Sequence, residues 1–161
     1  MNAPILSEDA AVEAARRART AGQSIAFANG VFDLLHVGHV RYLQDAARVA
    51  DLLVVAVNSD VSVRIIKGEG RPLVPEEERA ELVAALRGVG LVTIFSEASP
   101  RSLLTRIRPD FHCKGTDYTP ESVPERDLVE SWGGRVVIVG DPKDHSSTEL
   151  IDRLSPRAPR S

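Results

Sequence analysis

Asn29-Gly30-Val31-Phe32-Asp33-Leu34-Leu35-His36-Val37-Gly38-His39 leaves a short apolar strand and enters a helix. Ser24 to Ala28 is an apolar run that ends in Asn-Gly, and Val40 to Val49 carries apolar residues at helical spacing. The segment between them therefore reads as a strand-to-helix crossover. The first N–H groups of a helix have no internal partner and the helix dipole is positive there, so an anion is expected near Gly38 and His39. Gly38 lets that anion approach closely. His36 and His39 add charge and hydrogen-bond donors aimed at the same small volume. Histidines at this spacing also suit zinc, but the single Cys113 and the lack of a further His or Cys cluster argue against a closed protein-held metal site. Asp33 reads equally as a direct contact or as a residue that holds the loop, and Phe32 as packing.

Working outward, Leu52-Leu53-Val54-Val55-Ala56-Val57 is continuously apolar rather than alternating. Such a strand is buried on both faces, as in a parallel sheet covered by helices. Its end, Asn58-Ser59-Asp60, falls at the carboxyl edge of the sheet, where ligand crevices lie. Asp60 is expected to cap a helix through Ile66, and Lys67-Gly68-Glu69-Gly70-Arg71-Pro72 reads either as a basic lid loop that neutralises phosphate oxygens or as an ordinary solvent loop. Pro75 to about Arg87 is the next helix, with proline at its first position and acids in its first turn. Val89 to Phe95 and Asp110 to Cys113 are further strands, separated by a helix from Ser99-Pro100 through Ile107. Lys114-Gly115-Thr116-Asp117-Tyr118 follows and faces the crevice, while Cys113 reads as a buried small hydrophobe. A helix over Pro124 to Trp132 precedes a fifth strand, Arg135 to Val139. Asp144-His145-Ser146-Ser147-Thr148-Glu149 then opens a last helix with capping-box spacing.

At the other end, Ser7 to Arg19 reads as a helix capped by Ser7, within an N-terminal segment 1–22. Its alanine face is expected to lie at the domain edge or against a second subunit, as in a homodimer or higher homo-oligomer. The 161 residues, 43% hydrophobic, suit one domain over 1–154, with a disordered proline and arginine tail over 155–161. No run reaches the ~18 apolar residues of a membrane span, and Met1 to Ala10 has no basic-then-apolar pattern, so a soluble cytoplasmic protein is expected. A net charge of −3 gives no footprint of a nucleic-acid binder. Local charge differs: His36, His39, Lys67, Arg71, Arg79 and Lys114 are candidates to converge on a small polyanion.

The string GxFDxxHxGH resembles the nucleotidyltransferase superfamily that includes the glycerol-3-phosphate, phosphoethanolamine and heptose-1-phosphate enzymes. The resemblance runs from about Ser24 to Leu154. It implies an α/β, three-layer doubly wound Rossmann-like domain with a five-stranded parallel sheet in the order 3-2-1-4-5. It also implies that His36, His39 and Lys67 are catalytic, and that Val31, Phe32, Gly38, His39, Asn58, Arg71, Arg79, Lys114, Gly115, Asp117, Ser146, Ser147 and Thr148 bind the nucleotide. The KGxxRP string at Lys67 and the KGxDY string at Lys114 look most similar to the adenylyltransferase half of bifunctional heptose kinase/adenylyltransferases. Thr116 stands where that pattern has glycine, which would be strained if the position needs positive φ. His112-Cys113 stand where it has apolar residues.

The implied reaction transfers AMP from ATP, with Mg²⁺ on the phosphates, to D-glycero-β-D-manno-heptose 1-phosphate. It gives ADP-heptose and pyrophosphate for lipopolysaccharide-precursor synthesis. A separate heptose kinase would supply the acceptor. The partners are then small molecules, the nucleoside triphosphate and the sugar 1-phosphate, with neither nucleic acid nor membrane. A cytidylyltransferase for glycerol 3-phosphate or a similar alcohol phosphate is the nearest alternative, and a non-catalytic nucleotide-binding module is another. A class I aminoacyl-tRNA synthetase fragment shares HxGH, but no Lys-Met-Ser-Lys-Ser-like string is present.

Overall fold

The computed structural model describes residues 1–142 and 146–155. Asp144 and His145 of the last motif, and the expected tail beyond Ser155, lie outside the described residues. In chain order the elements are β1 (Ile5–Leu6), α1 (Glu8–Thr20), β2 (Ile25–Gly30), α2 (Val37–Ala47), β3 (Leu52–Asn58), α3 (Asp60–Lys67), α4 (Glu76–Ala84), β4 (Leu91–Phe95), α5 (Arg101–Ile107), β5 (Phe111–Lys114), α6 (Arg126–Glu130), β6 (Arg135–Ile138) and α7 (Ser147–Leu154).

All strand pairs are parallel, and the apolar run in β3 explains why. Val54 to Val57 have no exposed surface, so both faces of β3 are covered. Ala28, Val55 and Val57 pack with Leu43 of α2 and Val83 of α4 on one side. On the other, Phe27, Val54 and Ala56 pack with Ala11 and Ala15 of α1 and Leu104 of α5. This is a Rossmann-like three-layer arrangement.

The sheet has six strands in the order β1-β4-β3-β2-β5-β6, not five in the order 3-2-1-4-5. The difference is the edge strand β1, which pairs Ile5 with Val92 and Leu6 with Thr93. Two residues after Pro4 carry no readable period, so only the pairing partner reveals it. The alanine face of α1 is also corrected: Ala11 and Ala15 are fully buried inside the domain, where small side chains let the helix sit close to the sheet. Local boundaries shift too. Ser59 rather than Asp60 caps α3, its Oγ accepting from Ser62 N at 3.2 Å, and Pro75 occupies the cap of α4 rather than its first turn. No described helix is long and apolar enough to cross a membrane.

The order of the strands places a switch point between β2 and β5. Crossovers leave the sheet in opposite directions there, and a crevice opens beyond the carboxyl ends of the strands.

Candidate active site

The crevice is a cleft of about 380 Å³ at that edge. Its floor is the loop after β2, whose backbone is unusual. Phe32 and Leu34 take left-handed conformations, φ 53° and 50°. Phe32 folds back over Gly30, where an added Cβ would come within 3.1 Å of its ring, so a side chain at residue 30 would displace it. The ring is 3% exposed and meets His39 edge-on at 5.6 Å. Asp33, 2% exposed, accepts from Arg71 Nε at 3.0 Å, Leu73 N at 2.9 Å and Val74 N at 3.0 Å. Of its two readings, the structure gives the second: it ties the loop over residues 71–74 to the loop before α2.

The two histidines form a reciprocal cap on α2. His36 Nδ1 accepts from Gly38 N at 3.2 Å, and His39 Nδ1 accepts from His36 N at 3.2 Å. Their rings stack at 3.9 Å. An Nδ1 that accepts carries no proton, so a ring that is neutral here holds its hydrogen on Nε2. Burial, helped by the neighbouring His36, pushes His39 down to about 4, so it is neutral at physiological pH. The helix entry therefore differs from the sequence expectation of free N–H groups. The Gly38 and His39 N–H groups are spent, on His36 Nδ1 and His36 O.

α7 closes the opposite wall. Ser146 Oγ accepts from Glu149 N at 3.0 Å, as its spacing predicts. Ser147 Oγ donates to the carbonyl of Asp33, and to that of Leu34 at 3.3 Å, which docks the start of α7 on the loop before His36. Lys67, Arg71, Lys114, Gly115 and Asp117 line the cleft together with Val31, Phe32, Gly38, His36, His39, Ser146, Ser147 and Thr148. Lys114 Nζ lies 4.6 Å from the Tyr118 ring centre. Burial lowers its pKa, against Glu125 and Asp117, which raise it.

Arg79 and Asn58 are not brought there. Arg79 is fully buried and its guanidinium donates to Val74 O at 2.8 Å, Val31 O at 2.6 Å, Asn58 O at 2.7 Å and Asp60 Oδ1 at 2.8 Å. It joins the ends of β2 and β3 to the loop before α4, and it is not among the residues that line the cleft. Asn58, 4% exposed, donates to Ser62 Oγ at 3.2 Å. Thr116 does not take positive φ; its Oγ1 donates to Asp141 O at 2.6 Å. Cys113 is fully buried, and burial pushes its thiol up to about 12, which leaves it inert.

Asn29, Tyr42 and Asp141 also line the cleft without having been singled out. Tyr42 lies one turn beyond His39 on the same helix face, a spacing that sequence does show. Its hydroxyl donates to Cys113 O at 2.7 Å and so pins α2 to β5.

Comparison with known proteins follows the same outline. Residues 27–153 match the sequence profile described as cytidylyltransferase-like. The chain is 50% identical over 139 residues to the bifunctional protein HldE of Syntrophotalea carbinolica, covering 86% of this chain and 28% of that protein. Against the bifunctional protein HldE of Trichlorobacter lovleyi it is 47% identical over 156 residues, covering 97% and 31%. The chain thus spans less than a third of the length of these relatives. A crystal structure of the lipopolysaccharide core biosynthesis protein from Thermoplasma volcanium superposes with TM-score 0.64 at 27% identity, covering 76% of this chain and 100% of that one.

Proposed function

The chain belongs to the cytidylyltransferase-like family, and on that premise we propose that it transfers the adenylyl group of ATP to D-glycero-β-D-manno-heptose 1-phosphate. An oxygen of the acceptor phosphate bonds to the α-phosphorus. The bond to the oxygen bridging α and β breaks, and that oxygen departs with pyrophosphate; ADP-heptose remains. The acceptor is already ionised at neutral pH, so no strong base is needed and positioning supplies most of the rate.

The reciprocal histidine cap carries the reading. The stacked His36 and His39 rings, each held through Nδ1, line a cleft that Lys67, Arg71 and Lys114 also line. Because both rings are already hydrogen-bonded through Nδ1, they need not reorganise as charge builds on the phosphate oxygens. Lys67 and Arg71 neutralise the triphosphate from the lid side, and the start of α7 faces it from across the cleft. Mg²⁺ would arrive with the triphosphate and shield its charge. In this reading the oxygens of the triphosphate itself are the ion's main ligands. The high identity to HldE proteins and the KGxxRP and KGxDY strings support a heptose phosphate as acceptor.

Pyrophosphate release with heptose 1-phosphate and Mg²⁺, offering ATP, CTP and GTP separately, tests the proposal. ATP-selective release is expected. Release with CTP alone would keep the mechanism and overturn the donor, and silence with all three would overturn the reaction.

A further inference from the structure

His112 is the chain's departure from an otherwise apolar strand position, and it has no exposed surface. Its Nε2 lies 3.1 Å from Asn29 Oδ1, while its Nδ1 has no partner. A buried N–H without an acceptor is costlier than a bare lone pair, so the hydrogen sits on Nε2 and is donated to Asn29. Burial and the charge of Lys114 push the ring's pKa down to about 3, so it stays neutral. Phe27, edge-on at 5.7 Å, fixes the ring plane. The carbonyl edge of the Asn29 amide is thereby taken. Its NH₂ edge has no acceptor among the described residues, and Asn29 lines the cleft.

Side chains alternate along β2, so Asn29 lies on the same sheet face as Phe27, the face under α1 and α5. Lys114, two residues beyond His112 on β5, falls on that face too. The histidine cap belongs to α2, which packs on the other face. Attacking and leaving oxygens stand roughly in line on opposite sides of a transferring phosphorus. If the cap takes the pyrophosphate side, the acceptor enters from the side of Asn29 and Lys114.

We propose that Asn29 is a binding residue for the acceptor sugar phosphate, its amide N–H edge held toward the cleft by His112, which acts as a positioning residue. The acceptor's chemical class rests on the function proposed above; the presentation of the Asn29 amide does not.

Two measurements test it. In nitrogen-15 NMR of the full chain, His112 is expected neutral and protonated on Nε2 between pH 5 and 8, and adding heptose 1-phosphate alone shifts the Asn29 side-chain amide signals. In steady-state kinetics, Asn29→Ala raises the acceptor KM about tenfold or more, the scale of a hydrogen bond to a charged group, and leaves the ATP KM within about twofold. His112→Leu moves the acceptor KM the same way, and His112→Gln, which keeps an N–H near the Nε2 position, restores it. Unshifted Asn29 signals, a rise confined to the ATP KM, or wild-type kinetics in a folded His112→Leu would overturn the proposal. If the wild type releases no pyrophosphate and heptose 1-phosphate still shifts Asn29, the reaction assignment fails and this site stands.

Discussion

Replacing Asp33 by alanine is expected to cost about 3 to 5 kcal/mol of stability, the scale for removing one partner from a buried, hydrogen-bonded ion pair. The side chain of Asp33 is 1% exposed and that of Arg71 is 15% exposed, so solvent screens the pair weakly. The variant leaves the Leu73 and Val74 N–H groups and one guanidinium N–H without an acceptor. A stranded backbone N–H costs about 1–3 kcal/mol when water cannot reach it, and the cleft edge admits some water, which places the total in the stated range rather than above it. Urea unfolding at pH 7 reads the difference directly. Its pH dependence adds a second check. Burial by itself pushes the Asp33 pKa up, but the two backbone N–H groups and Arg71 outweigh it and hold the carboxyl below its ordinary value. A depressed carboxylate contributes stability that is present above the unfolded pKa of ~4 and lost as pH falls through the folded pKa. The gap between wild type and Asp33→Ala should therefore begin to narrow as pH falls below about 4. A variant within about 1 kcal/mol of wild type at pH 7, or a gap that persists unchanged into acid, would refute the reasoning.

Other expectations follow from the same geometry. His39→Ala should lower kcat by roughly 10²-fold or more with the fold intact, and His39→Gln, which retains an N–H donor, should lose less; equal turnover in a folded alanine variant would remove His39 from the chemistry. Arg79→Lys should destabilise the protein by about 2–4 kcal/mol, because one ammonium cannot serve four acceptors in different segments, while the ATP KM stays near wild type. The opposite pattern, normal stability with a raised ATP KM, would return Arg79 to the nucleotide. His112, with its folded pKa near 3, binds no proton where an unfolded histidine begins to do so at ~6.5. Stability should therefore decline as pH falls from 6.5 toward 3, by up to about 1.4 kcal/mol per pH unit from this residue, and His112→Leu should flatten that slope in urea titrations across pH 4 to 7.

Legibility from sequence divides along physical lines. The unbroken apolar run Leu52 to Val57 demands cover on both faces, and that demand made a parallel α/β sheet readable without coordinates. The crossover into His36-Val37-Gly38-His39 and the Ser146 to Glu149 cap are local patterns, in which neighbours a few residues apart determine the backbone, so they too were legible. β1 was not, because two residues have no period and are a strand only through Val92 and Thr93. Nor was the fate of Arg79. Its place in an acidic first turn looks like a surface position, and only the folded chain gathers carbonyls from Val31, Asn58 and Val74 around it. The histidine pair shows both sides of the division. Sequence alone placed two imidazoles at a helix entry beside a cleft, since spacing determines that. Which nitrogen of each carries the hydrogen was decided by the reciprocal cap, and the face that Asn29 shows to the cleft by a histidine 83 positions away, because hydrogen bonds follow distance in space rather than along the chain.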